Sequence, residues 1–153
     1  VSIHRINPFD AEGRIRNWDA DWCVYTAFAE PGDGTVLVKV GLSGGIYDRA
    51  LSLCTACPYR IDPILWARTG SQSAARLIER RMHAEFRARR TSGEWFRFDM
   101  RSPADKAEFK AVALGAFAAH SRTGVPEWKT ITKDQLREYG SMKRNKKYLI
   151  KAP

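Results

Sequence analysis

Residues 21 to 43 read DWCVYTAFA, then EPGDG, then TVLVKVGLS. Two short runs rich in β-branched and aromatic residues flank a five-residue spacer with two glycines. That spacer suits a hairpin and is too short for the crossover that parallel strands need. The chain is therefore expected to build an antiparallel sheet around this pair.

The next segment, GLSGGIYDR from Gly41 to Arg49, is rich in glycine but is not a nucleotide loop. A Walker loop ends in GK followed by Ser or Thr, and a dinucleotide fold needs GxGxxG, neither of which is present. Instead Ile46, Ala50, Leu53 and Cys54 fall at helical spacing, predicting a short helix from Ile46 or Tyr47 that stops before Pro58. RIDPILWART reads as a strand broken at its start by Pro63. SQSAARLIERRMHAEFRARR reads as a helix capped by Ser71 or Ser73, with Ala74, Ile78, Met82 and Phe86 in an apolar stripe. Alternation from Glu94 to Phe98 predicts another strand, Pro103 opens an amphipathic helix, and TKDQLREYG suggests a last short one.

The expected fold is α/β of the α+β kind: a small, mostly antiparallel three- to four-stranded sheet flanked by helices, with a C-terminal helical extension. The expected organisation is an arm at 1–20, a principal domain at 21–100 and a helical extension with a basic tail at 101–153.

Charge narrows the partner. Twenty-six Lys and Arg against 17 Asp and Glu give +9, which favours polyanions through counterion release, nucleic acid first. The terminal KRNKKYLIKAP carries five cations and no acid, so Lys143, Arg144, Lys146 and Lys147 are candidate phosphate contacts, with plain solvated charge as the alternative. No apolar run approaches the roughly 20 residues that cross a bilayer, and the first residues lack the apolar core of a secretory signal, so an intracellular protein without membrane contact is expected. Of the three cysteines, Cys54 and Cys57 form a CxxC with no second pair to complete a zinc site, and they read as small apolar residues.

Order and spacing then carry a resemblance. CVY (Cys23 to Tyr25) on the first strand, KVG (Lys39 to Gly41) on the second, GLSGGIYDR ending in Arg49, LIERRMHAEF with Glu79, and SGEWFRF together resemble the GIY-YIG endonuclease superfamily. The likeness is to its short phage-type branch, whose second motif is KIG-like and whose domain closes with GEWF. The literal GIY at Gly45 to Tyr47 lies outside the matching position.

The resemblance implies a metal-dependent DNA endonuclease of phage or bacterial host cytoplasm using one Mg²⁺ (or Mn²⁺) per site, with Glu79 as metal ligand. It implies that Arg49 clamps the scissile phosphate and that Tyr25 positions or deprotonates the attacking water. Lys39 would tune Tyr25 or touch phosphate, and His83, one helical turn from Glu79, would relay a proton or orient the carboxylate. Ser43, Arg76 and Arg80 would add nucleic-acid contacts, and cutting both strands would call for a homodimer.

Each assignment has a structural rival. Tyr25 could be a strand aromatic, Lys39 an edge charge, Arg49 a salt-bridge partner of Glu79 or Asp48, Glu79 an ion pair among Arg76, Arg80 and Arg81, and His83 a half-buried histidine. Glu94, Trp95 and Phe96 read as packing residues. CVY lacks the motif's glycine, and the late Asn and extra histidines of the main branch have no equivalents here. A noncatalytic DNA-binding module with the same fold is therefore the alternative function, and an RNA-binding or partner-docking protein a third.

Overall fold

The computed structural model describes residues 22–151, with side chains described through Asn145. The expected arm at 1–20 and the side chains of Lys146 and Lys147 lie outside the described residues.

The hairpin forms as expected, from β1 (Cys23–Ala29) and β2 (Val36–Ser43). Its loop turns through two left-handed glycines, Gly32 (φ 94°) and Gly34 (φ 83°), a conformation that costs other residues Cβ strain. Then follow α1 (Ile46–Ala56), β3 (Ile61–Arg68), α2 (Gln72–Glu85), a 3₁₀ turn (Arg87–Arg89), β4 (Arg90–Ser92) and β5 (Trp95–Phe98). The chain closes with α3 (Pro103–His120), β6 (Lys129–Ile131) and α4 (Lys133–Lys151).

All pairings are antiparallel, in the order β4-β5-β2-β1-β3-β6. Among the described residues the fold is α+β with six strands rather than three or four. The two additions, β4 and β6, are only three residues each, too short for alternation to show in the sequence. β3 runs through Pro63 because its pairing with β1 skips a residue between Ala27 and Ala29, and β6 pairs only with Ile64 to Trp66. A missing N–H is tolerated at such an irregularity.

Helices cover both faces. On one, Tyr25, Ala27, Ile64 and Trp66 pack with Tyr47, Ala50 and Leu53 of α1 and Leu136 and Tyr139 of α4. On the other, Val24, Val38, Val40 and Phe96 pack with Ile78 and Met82 of α2 and Ala116 and Phe117 of α3. β1, between two strands and two helical layers, is buried almost throughout. The Ser71 hydroxyl caps α2 by accepting from the Ala74 amide at 3.1 Å, and Ala75, Ile78 and Met82 of that helix are buried on the sheet. Among the described residues no helix is long and apolar enough to cross a membrane.

Candidate active site

The sheet narrows where the candidate residues meet. β5 pairs with β2 only from Val36 to Lys39, and β2 then continues alone on that side to Ser43. One residue beyond the last pair, the Val40 carbonyl takes a hydrogen bond from His83 Nε2 at 2.8 Å. A carbonyl only accepts, so Nε2 carries the proton and Nδ1 is left as the ring's proton-accepting atom. Through this bond α2, which covers one face, reaches the notch at the sheet edge, with Glu79 one turn from His83.

From the other face comes Arg49. Its backbone N–H closes the first turn of α1 on the Gly45 carbonyl at 3.1 Å, and its Nε donates to the Tyr25 hydroxyl at 3.0 Å. Tyr25 is directly opposite Gly41 in the hairpin register. A Cβ at position 41 would lie 2.3 Å from the Tyr25 Oη, so the glycine makes room for the phenol. Lys39, two residues earlier on the same side of β2, is nearly covered and donates to Glu94 at 2.8 Å, with its ammonium 5.7 Å from the Trp95 ring centre.

Two carboxyls in one site are pushed apart. Burial raises Glu79 above the usual carboxylate range and Glu94 adds to the rise, while His83, Lys39 and Arg76 offset part of it. Burial also acts to raise Glu94, but the hydrogen bond and charge of Lys39 outweigh it and the carboxyl ends below its ordinary value. Burial raises the Tyr25 phenol; Arg49 opposes this, and Glu94 and Glu79 reinforce it. Divergence of this kind between neighbouring groups occurs both in catalytic sites and in structural ion pairs.

The structure thus gathers Tyr25, Lys39, Arg49, Glu79 and His83 around one notch. Arg49 pairs with neither Glu79 nor Asp48: Asp48 instead accepts from Tyr139 at 2.9 Å and from Lys143. Lys143 is therefore engaged with α1, and Arg144 donates to Ser141 at 3.1 Å. The Ser43 hydroxyl accepts from the Gly45 amide at 3.0 Å, at the entrance to α1. Arg76 and Arg80 are exposed on α2. Glu94, read from sequence as packing, belongs to the site through Lys39. Its signal was an acid between a glycine and the closing aromatic strand.

Glu79 accepts no hydrogen bond and forms no ion pair among the described residues; Arg81 pairs with Glu85 at 3.9 Å instead. No group of three or more His, Cys, Asp or Glu stands ready to hold a metal among the described residues. Glu79 offers a single oxygen donor, of the kind a hard cation takes one or two of before completing its shell with water and phosphate oxygens. Cys54 is exposed, Cys57 half-buried and Cys23 buried, and none of the three is joined in a disulfide.

The T5orf172 domain family matches residues 22–113, more than half of the chain, from the residue before β1 into α3. No curated protein and no solved structure matches.

Proposed function

The chain belongs to the T5orf172 domain family, a phage-associated domain related to GIY-YIG and HNH-like nucleases, and on that premise we propose that it is a metal-dependent DNA endonuclease. The observation that carries the reading is the convergence of Glu79, a carboxylate unpartnered among the described residues, with the Tyr25–Arg49 pair and Lys39 at one sheet edge.

Glu79 would hold one Mg²⁺ or Mn²⁺, and such an ion, when bound, withdraws charge from a phosphoryl oxygen and acidifies water. Arg49, exposed and aimed by the first turn of α1, offers a planar fork to the scissile phosphate. Tyr25 stays protonated because burial raises it, and its oxygen already takes the Arg49 N–H. The phenol is also wholly buried, so Tyr25 would act by holding Arg49 in place rather than as a base. His83 is oriented by Val40 to accept a proton at Nδ1, and Lys39, pinned by Glu94, supplies a fixed positive charge to the developing phosphorane. One such site cuts one strand, so a double-strand break requires a second copy of the chain or a second nick, in phage or bacterial host cytoplasm.

Supercoiled plasmid incubated with Mg²⁺ or Mn²⁺ tests this. The wild type should yield nicked and then linear forms, and Glu79→Gln should lose at least about 10²-fold in rate. Equal cutting by both proteins overturns the assignment. A second reading, a DNA-binding module that does not cut, is favoured by the complete burial of Tyr25 beneath its neighbours. Salt-sensitive binding without scission by the wild type would establish it.

A further inference from the structure

A second concave site lies on the other flank of α1. In that helix Arg49, Ser52 and Ala56 face the cleft beside Lys39 and Trp95, whereas Leu51, Cys54 and Thr55 face a separate groove of about 460 Å³ against α4. The loop after α1 serves both, with Cys57 and Pro58 lining the first and Tyr59 and Arg60 the second.

The second groove has an unusual composition. Leu51, Ile61 and Leu136 give it an apolar floor, and its charged side chains are all cations: Arg60, Lys133, Arg137 and Arg144. Arg60 and Arg137 are paired at 3.2 and 3.8 Å with Asp62 and Asp134, which do not line the groove, and the former two cations keep most of their surface in solvent. Lys133 and Arg144 have no carboxylate partner among the described residues. The Cys54 thiol is pushed up by burial and by Cys57, so it adds no negative charge near neutrality. Tyr59 stands at the rim, 42% exposed, one of few large apolar side chains left in solvent. The walls are fixed relative to one another, because Tyr139 of α4 donates to Asp48 of α1 and packs tilted against Tyr47, 5.4 Å between ring centres.

We propose that this groove binds a single-stranded DNA segment adjoining the cut, its phosphates on the four cations and an unstacked base against Tyr59 and the apolar floor. The proposal rests on the nuclease reading and deepens it, since it assigns the substrate an unpaired strand next to the scissile phosphate. A duplex presents a convex wall of phosphates and has no use for an apolar floor. An unpaired strand offers both a charged backbone and exposed π-faces, and aromatic platforms inside cationic grooves are how such strands are held.

The experiment is fluorescence anisotropy of the full chain in EDTA, with labelled oligothymidylate of about twelve nucleotides and duplex of equal length. Lys133→Gln/Arg137→Gln should lower the slope of log K against log salt by about 1.4 for the single strand, and Tyr59→Ala should weaken binding roughly fivefold or more. All three positions are exposed, so the fold should survive, which circular dichroism checks. Unchanged single-strand binding in both variants overturns the groove while leaving the nuclease reading intact. An equal loss for duplex and single strand, or displacement of the oligonucleotide by polyglutamate at the same charge concentration, overturns the choice of ligand. If the wild type binds neither nucleic acid, the nuclease reading falls first and this proposal with it.

Discussion

Glycine 41 shows how much chemistry one absent methyl group permits. Gly41→Ala would push the new Cβ into the Tyr25 ring and hydroxyl, which have nowhere to go because that side chain is fully buried. The expected result is a loss of about 1–3 kcal/mol in urea unfolding, together with loss of cleavage, because Arg49 would lose its acceptor. Glu79 makes a different prediction. Its carboxyl is held above its ordinary value of 4.5, so the folded protein keeps a proton that the unfolded chain has released. Stability attributable to this group is present below the unfolded value and declines as pH rises towards the folded one. Glu79→Gln should therefore be at least as stable as the wild type at neutral pH by urea titration, although cleavage is lost. In the wild type the rate should fall on the acid side as Glu79 takes up a proton, since the working form is the carboxylate. The spacing of Tyr25, Lys39, Arg49, Glu79 and His83 was legible in the sequence because each falls on a predictable element. Glu94 was not, because its part depends on which residue of β2 faces Trp95, and pairing register between strands 55 residues apart leaves no local trace.

At the scale of elements, α2 brings Glu79 and His83 to the notch, and its start is defined by Ser71. Ser71→Ala should cost about 1 kcal/mol in denaturant unfolding, read as a midpoint shift at constant slope. Because the cap is 8 residues from Glu79, cleavage per folded molecule should be little changed. The longer strands and α1 to α3 were readable from periodicity and caps. The late part of the chain was less so: alternation cannot declare itself in the three residues of β6, and α4 runs on well past the short helix that TKDQLREYG suggested. What α4 contributes is fixed by contacts invisible in sequence, with Tyr139 and Lys143 both gripping Asp48, the residue before Arg49. The C-terminal helix thus braces the helix that aims the phosphate clamp.

For the whole molecule, one face of the sheet holds three buried phenols, Tyr25, Tyr47 and Tyr139, each raised by burial, and Tyr139 further by Asp48. The unfolded chain releases these protons near pH 10 while the folded chain retains them, so stability should fall as pH climbs above 10. Absorbance at about 295 nm should show these buried tyrosines ionising together with loss of structure; independent, early titration of all of them would contradict the packing. The strand order has a consequence for synthesis. The three central strands, β2, β1 and β3, are the first three made, β4 and β5 arrive as a unit against β2, and β6 comes last against β3. As the chain leaves the ribosome, no slot has to be held open in the middle of the sheet for a strand not yet translated, and the molecule can grow outward from its oldest part.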